Sequence, residues 1–276
     1  FGFVTASSKN LSVTTGGTVS MTNSINLVNG NLAVSGGGDV TFSNSVTAGS
    51  VNAKSTAGDV TFANTVTTSQ VGGFTSEATL STKATKIADA VDVQNGANAL
   101  VTGNLVVTSS LSGIITSSTG SISITGKVDA ANAGDDLALV SVNGAITIGG
   151  AVGSSATAMG DLVASGNTSF TANGAVNVSK LDLNQGARFG SAINFAEAVK
   201  ATGTLGAVSI TSSGSGTINF AKSIEVTNST AIIRLTSVGG SLTVSGNISG
   251  KDDVPLREKL TLVELPRIKM AVAWRL

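Results

Sequence analysis

Short runs in which every second residue is apolar recur along the whole chain, and Gly, Asn, Ser or Asp separates one run from the next. Examples are residues 40–42 (VTF), 51–53 (VNA) and 137–139 (LAL). Alternation with a period of two residues predicts half-buried β-strands, and the separating residues are typical of turns. Because no helix-length segment alternates with the strands, the pattern predicts an all-β chain and excludes a doubly wound α/β fold.

A nine-residue motif repeats within this pattern. Residues 38–46 (GDVTFSNSV) return as residues 58–66 (GDVTFANTV). Looser copies begin at Gly17, Gly120, Gly144, Gly166, Gly190, Gly216 and Gly240. The clear spacings are 20 to 26 residues, and the segment between Gly58 and Gly120 has room for three further periods, so the chain contains about eleven repeats.

The length of one repeat selects the architecture. A repeat of this size without a helix matches one coil of a parallel β-helix, in which equivalent strands stack about 4.8 Å apart. We therefore predict a parallel β-helix of about eleven coils over residues 1–250, followed by a distinct C-terminal segment over residues 251–276.

Alignment of the repeats predicts ladders of stacked side chains. One inner ladder holds five of the nine phenylalanines and consists of Met21, Phe42, Phe62, Ile124, Ile148, Phe170, Phe195, Phe220 and Val244. A second inner ladder, two residues earlier and on the same side of the strand, consists of Val19, Val40, Val60, Ile122, Ile146, Ile218 and Leu242. The solvent-facing ladder between them consists of Ser20, Thr41, Thr61, Ser123, Thr147, Asn219 and Thr243. The turn that follows carries Asn23, Asn44, Asn64 and Asn247.

Residues 76–98 depart from the repeat. Leu80, Ala84, Ile87 and Val91 are spaced 4, 3 and 4 residues apart, as on one stripe of a helix. One interpretation is a helix or lobe over residues 76–90 that protrudes from the solenoid and binds a partner. The other, which we favour, is an irregular coil with strands at residues 79–82 (TLST) and 90–94 (AVDVQ).

The C-terminal segment has a different composition from the rest. Residues 251–276 hold both prolines, the only Trp and ten of the 32 charged residues. Residues 268–276 alternate between apolar and other side chains, which predicts an amphipathic strand. Charged and Pro-containing segments cover the open edge of a β-helix, so the segment is either such a cap or a tail left at the junction of a truncated gene.

Composition removes most chemistry. The chain has no His and no Cys, which excludes a Ser-His-Asp triad, a disulfide frame, and histidine or thiolate metal sites. Sixteen basic and sixteen acidic residues leave no electrostatic footprint for nucleic acid. We therefore predict no enzyme activity, no catalytic, cofactor-binding or metal-binding residues, and no cofactor.

The acidic residues are the remaining candidates for catalysis. Asp39 and Asp59 hold the same repeat position and should lie roughly 5 Å apart, as a carboxylate pair for glycoside hydrolysis would require. Further candidates are Asp135, Asp136, Asp161 and Asp182. We favour solvated turn residues for the first pair, because no Arg or Lys recurs nearby to bind a sugar acid. Residues 36–38 and 149–150 are glycine-rich but lack the Lys and helix of a phosphate loop, so they are predicted turns.

The units GDVTFSNSV, GDVTFANTV and GSISITGKV resemble those of bacterial type V secreted surface proteins, over roughly residues 10–250. The closest similarity is to filamentous-haemagglutinin-like exoproteins and autotransporter passenger domains. The resemblance implies a right-handed parallel β-helix, located outside a Gram-negative cell or on its surface, that adheres to glycans or proteins of host cells or bacteria. No binding residues carry over, because these families share none at fixed positions.

Two function classes follow. The first is a non-catalytic adhesin or display stalk. The alternative is a self-assembling extracellular structural protein, a surface layer or filament subunit, built by end-to-end stacking of β-helices. An exposed coil at both ends would favour the filament, and a covered C-terminal end would favour the stalk.

Overall fold

The computed structural model describes residues 4–5, 8–69, 73–94, 97–108, 113–117, 120–154, 159–183, 193–202, 208–212, 217–227, 233–237, 240–250 and 260–264. These residues form strands and turns without a helix, and successive turns of the chain pair in parallel. The prediction of an all-β parallel β-helix is confirmed. The solenoid has three walls, which we call the first, second and third face in the order in which the chain visits them from Leu11 onward.

The first face is one sheet of eleven strands, one from each level of the solenoid. These strands are Leu11–Thr15, Asn31–Gly36, Ser50–Ser55, Phe74–Ala78, Ala99–Thr102, Ile122–Ile124, Ile146–Ile148, Phe170–Ala172, Ile193–Phe195, Ile218–Phe220 and Leu242–Val244.

The second face begins as a sheet of six strands and continues through isolated bridges at Val152. The six strands are Val19–Met21, Val40–Phe42, Val60–Phe62, Ala84–Ile87, Asn104–Val107 and Val128–Ala130. The later strands on this face are Val199–Ala201, Ile224–Val226 and Ile248–Gly250, and they stack on the first half of Val176–Leu183.

The third face shares the strand Val176–Leu183 with the second face, because this strand continues around the corner between them. The shared strand joins the two walls into one sheet of fifteen strands. The other third-face strands are Val4–Thr5, Ile25–Asn26, Val46–Ala48, Val66–Thr68, Ala90–Val93, Gly113–Ser117, Leu137–Ser141, Met159–Gly166, Val208–Ser212, Ile233–Ser237 and Leu260–Glu264.

The number of turns is slightly lower than predicted. Eleven strands stack on the first face, but the first and last of them each pair with one neighbouring strand only. The described part of the solenoid therefore contains about nine fully packed turns, against the predicted eleven or so. The right-handed sense of winding stays a prediction.

Inward side chains of all three faces fill one continuous core that runs from Val19 to Leu235. Two groups of stacked rings stand out within it. Phe42 lies against Phe62 with ring centroids 4.8 Å apart, and Phe195 lies against Phe220 at 4.6 Å. All five phenylalanines of the predicted inner ladder are buried, as expected from the alternation.

The predicted ladders are wrong in one respect, because each of them is divided between two faces. The motif strand at Val40–Phe42 lies on the second face, whereas the motif strand at Ile122–Ile124 lies on the first. Between residues 60 and 122 the chain completes two turns and two thirds of a third turn, instead of the three whole turns expected. It ends on the first face and not on the second, where it began. Every later copy of the motif is consequently displaced by one face.

The register of Phe170 is also different from the prediction. Phe170 pairs with Ile146 and Ile193, so it belongs to the column of the first inward position and not to that of Phe195. A phenylalanine fits either column, because both point into the core. Its ring still reaches Phe195 diagonally, with a centroid distance of 5.6 Å.

The described residues of the segment 76–98 form strands and corners, so the helical interpretation of residues 76–90 is wrong. Ala90–Val93 agrees with the predicted strand at residues 90–94, but the other strand is Ala84–Ile87 and not residues 79–82. The corner is formed by residues 79–83, and Leu80 is 44% exposed there. The helix-like spacing combines an exposed corner residue, Leu80, with buried residues of two successive strands, Ala84 and Ile87 in one and Val91 in the next.

Part of the C-terminal segment continues the solenoid. The strand Leu260–Glu264 pairs in parallel with Ile233–Ser237 and extends the third face by one level. The predicted strand over residues 268–276 lies outside the described residues. Whether the segment over residues 251–276 is a cap or a tail stays a prediction.

Candidate functional site

Asp39 and Asp59 lie at the same corner of successive turns, each directly before a strand of the second face. The Oδ1 atom of Asp39 accepts a hydrogen bond from the backbone N–H of Asp59 at 2.9 Å. The Oδ1 atom of Asp59 accepts one from the backbone N–H of Ala84 at 2.9 Å. The predicted adjacency of the two positions is confirmed, and each carboxylate ties its own turn to the next one.

Lys86 adds a charge to this corner. Its Nζ atom lies 2.7 Å from Oδ2 of Asp59. Burial raises the pKa of Asp59, but hydrogen bonds from Lys86 and Ala84 and the positive charges of Lys86 and Lys83 outweigh burial, so the pKa is lowered overall. A glycosidase acid needs a raised pKa, so Asp59 is suited to holding the corner and not to donating a proton.

The second acidic group lies at the corner between the second and third faces. Asp136 accepts a hydrogen bond from the backbone N–H of Asp161 at 2.6 Å. On the next level, Lys180 is in register with Asp161, and its Nζ atom lies 3.3 Å from Oδ2 of Asp182. Asp135 instead accepts the backbone N–H of Asn132 at 2.9 Å and closes its own loop. The structure therefore brings three of the four predicted carboxylates together, with Asp161 between Asp136 on one side and Lys180 and Asp182 on the other.

The pKa of Asp161 is shifted in the opposite direction to that of Asp59. Burial makes the largest contribution and raises the pKa of Asp161, and the negative charges of Asp136 and Asp182 raise this pKa further. The positive charge of Lys180 lowers it, but by less than the other contributions raise it. Such a separation of pKa values is used by acid–base pairs, but Asp136 and Asp182 already have a backbone donor and a lysine as partners. In the part of the chain that the structure describes, no group of three or more His, Cys, Asp or Glu is arranged to hold a metal ion.

Buried serines, absent from the predictions above, close several corners. Ser141 Oγ donates a hydrogen bond to the carbonyl of Gly120 at 2.8 Å and accepts one from the N–H of Gly144 at 3.1 Å. Ser55 makes the equivalent two bonds in its own corner, both at 2.8 Å. One hydroxyl thus satisfies two backbone groups that would otherwise be buried without partners.

The sequence contained a signal for these serines. A Ser stands three residues before the glycine of the motif at residues 55–58, 117–120 and 141–144. Ser117 Oγ donates to the carbonyl of Ala97 at 2.8 Å and so belongs to the same group. The signal marks a structural corner, and it lies on a different pair of faces before and after the displacement of the motif.

The glycine-rich segments lie in turns, as predicted, except that Gly36 is the last residue of the strand Asn31–Gly36. The N–H groups of Gly37 and Gly38 donate to the carbonyls of Thr15 and Gly17 on the preceding turn, and a strand follows instead of a helix. A Cβ atom added to Gly37 would lie 2.0 Å from the carbonyl oxygen of Gly16. Glycine is required there because two turns of backbone approach each other closely.

The outward polar ladder is divided between faces in the same way as the inner ladders. Ser20, Thr41 and Thr61 lie on the second face and are followed in register by Lys86. On the first face, six successive levels present uncharged hydroxyl or amide side chains, namely Ser123, Thr147, Thr171, Asn194, Asn219 and Thr243. We call these six residues the polar row.

A shallow groove of about 150 Å³ lies on the first face near the other end of the solenoid. Polar side chains from three successive strands line it, among them Ser12, Thr14 and Asn52. Lys54, also at its edge, forms an ion pair with Glu77 at 3.0 Å. That lysine, together with a hydrogen bond from Thr79, lowers the pKa of Glu77. The groove offers hydrogen-bonding groups for a polar ligand but no reactive group.

The comparisons with known proteins supply no relative. No family model, no curated protein and no solved structure matches the chain. Within the described ranges, the structure also contains no helix with the length and apolar character needed to cross a membrane.

Proposed function

We propose that the chain is a non-catalytic adhesin or display stalk, secreted by a Gram-negative bacterium or held at its surface. The observation that carries the proposal is a continuous core from Val19 to Leu235 beneath an outer surface of mostly short polar side chains. Eleven levels at about 4.8 Å each give a rod of roughly 50 Å. Such a rod holds a surface at a distance without needing any chemistry of its own.

The acidic residues support the non-catalytic part of the proposal. Asp39 and Asp59 accept backbone hydrogen bonds that join turns, and Lys86 neutralises Asp59. In the second group, Asp136 holds a backbone N–H and Asp182 pairs with Lys180. Because these carboxylates already stabilise corners, using them for catalysis would cost the fold its turn-to-turn contacts.

We assign binding to the polar row of the first face. Its hydroxyl and amide groups donate and accept hydrogen bonds, and none of the six residues carries a charge. These properties suit a neutral polar ligand such as a glycan, or an uncharged protein surface. On the second face, the levels beside Asn194 and Asn219 carry the ionic side chains Lys200 and Glu225, whose charged atoms lie 3.4 Å apart.

An adhesion assay tests the proposal. The purified chain, coated on beads, is offered to host cells, bacterial cells and immobilised glycans, and retention is compared with a variant carrying Thr147→Lys and Thr171→Lys. The matched control carries Thr41→Lys and Thr61→Lys on the second face. We expect retention by the wild type and the control and a loss in the polar-row variant. No retention of the folded wild type on any surface, or equal retention of all three proteins, contradicts the proposal.

Two further measurements separate the stalk from its alternatives. Antibodies against the chain should label intact cells that produce it, and labelling only after permeabilisation would contradict an external location. Electron microscopy of the purified chain should show isolated rods about 50 Å long. Long fibres or lattices would instead support the self-assembling structural protein.

A further inference from the structure

The two ends of the first face continue the same columns of side chains. The register carries Leu11 through ten successive strand pairs to Leu242, and Val13 in the same way to Val244. These end residues are partly buried, whereas their column neighbours Ile218 and Phe220 are fully buried. A second copy placed head to tail would continue both columns, Leu on Leu and Val on Val.

The third face places a condition on that contact. Val4–Thr5 pairs with Ile25–Asn26 at one end, and Leu260–Glu264 pairs with Ile233–Ser237 at the other. Following the register along this face puts Val4 in the same column as Leu262.

The levels of the two end strands then conflict. If Leu11 of a second copy lies one level beyond Leu242, its Ile25 lies one level beyond Leu262 of the first copy. Within its own chain, that same position below Ile25 is taken by Val4. Only one of the two strands can occupy the edge of Ile25–Asn26, because a strand edge pairs with one neighbour.

We propose that Val4–Thr5 is an exchangeable cap strand, which a second copy replaces with its Leu260–Glu264 in a head-to-tail contact. Val4–Thr5 pairs over two residues only, and Val4 is itself partly buried. The replacing strand has five residues and brings the first-face contacts of Leu242 and Val244 with it. The contact does not rest on the proposed display function, because the protein remains a single rod as long as its own cap strand stays paired.

Release of the cap strand in the full chain tests the proposal. Val4→Pro removes the backbone N–H of this residue and fixes its φ angle. Val4→Ile is the matched control, because it keeps the N–H and leaves φ unrestricted. Sedimentation velocity and electron microscopy should show single rods for the wild type and Val4→Ile. Val4→Pro should form end-to-end assemblies of rods, and these assemblies should lengthen with protein concentration. Single rods for Val4→Pro at every concentration, or end-to-end assemblies for the wild type and Val4→Ile, would overturn the proposal.

A second pair of variants locates the contact. Val244→Asp, at the opposite end of the column, should leave the single variant as isolated rods and should return Val4→Pro to isolated rods. End-to-end assemblies that persist in the double variant would place the contact elsewhere and contradict the exchange of the cap strand. Thr5→Pro is an independent release variant, so a failure of Val4→Pro to fold, seen as a lost strand signal in circular dichroism, leaves the same test in force. Either outcome of this test leaves the adhesion assay unchanged, because that assay depends on outward side chains of the first face.

Discussion

The early and late turns of the solenoid use the same motif on different walls. Phe42 and Phe62 stack on the second face with ring planes 1° apart, and Phe195 and Phe220 stack on the first face with planes 8° apart. The centroid distances, 4.8 Å and 4.6 Å, are nearly equal. The comparison shows that the motif decides that Phe points inward and stacks on its copy, while the number of residues between copies decides which wall it occupies.

The same two regions treat an acidic corner residue in opposite ways. Asp59, in the early turns, has a lysine and a backbone N–H as partners, which outweigh burial and lower its pKa. Asp161, in the later turns, is partly buried and lies near two other carboxylates, and its pKa is raised. Whether a corner carboxylate stabilises or destabilises the fold therefore depends on the charged and hydrogen-bonding groups of the neighbouring turns, and not on its own place in the repeat.

The largest expected effect comes from a charge in either aromatic column. Phe62→Asp should cost more than roughly 5 kcal/mol and unfold the turns around it, because a buried carboxylate would replace a stacked ring. Phe220→Asp lies one level from the last first-face strand, so it should unfold only the final turns, since each turn contacts only its neighbours. Thermal unfolding and hydrogen exchange measure the extent. Equal loss over the whole chain for both variants would contradict independent turns.

Removal of a corner serine should have the next largest effect. Ser141→Ala leaves the N–H of Gly144 and the carbonyl of Gly120 without a partner, which should cost about 1–3 kcal/mol. Ser55→Ala should cost a similar amount, although its corner joins different faces. Urea unfolding gives the values, with the exposed Val142→Ala as control. A clear difference between the two serines would show that the corners are not equivalent.

The two carboxylates should respond to pH with opposite signs. The pKa of Asp59 is below its usual 3.8, so Asp59 stabilises the fold above that value and the contribution is lost as pH falls through the lowered pKa. The pKa of Asp161 is above 3.8, so its charge destabilises the fold above the raised pKa, and the cost disappears as pH falls toward 3.8.

Asparagine variants measure this difference. At neutral pH, Asp59→Asn should lower the free energy of unfolding and Asp161→Asn should raise it slightly. In acid, the effect of each variant should shrink, because the native carboxylate becomes neutral as well. Urea unfolding over a pH series gives both curves. Curves of the same sign would contradict the different surroundings of the two corners.

The smallest effects are expected on the outer surface. Thr41→Asp and Thr61→Asp on the second face, and Thr171→Asp on the first, should each change stability by no more than about 0.5 kcal/mol. Their side chains point away from the core, and the strands remain paired. Thermal unfolding checks this result. A loss as large as that of Phe62→Asp would refute the assignment of inward and outward positions on that face.

Part of the fold could be predicted because each strand carries its own evidence. Alternation placed Val40 and Phe42 inside and Thr41 outside without reference to any other strand, and the structure confirms this. The column of Phe170 could not be predicted in this way, because Phe fits both inward positions and only pairing with Ile146 and Ile193 selects one.

The candidate site shows the same limit. The repeat placed Asp39 and Asp59 on adjacent turns, and the structure agrees. Lys86 could not be assigned to Asp59, because it lies 27 residues further along in a segment whose helical spacing misled the prediction. Ser141, in contrast, could have been found from the Ser-x-x-Gly spacing alone.

Local patterns along the chain are enough to predict a parallel β-solenoid and most of the inward positions of its strands. Those properties depend on alternation and on a period near one coil, which are local. Pairing between turns, in contrast, selects which wall each strand occupies, which carboxylate meets a lysine, and which strands lie at the two ends. These depend on the summed length of all preceding strands and corners, so the stretch between residues 60 and 122, which does not hold a whole number of turns, displaces every later copy of the motif by one face.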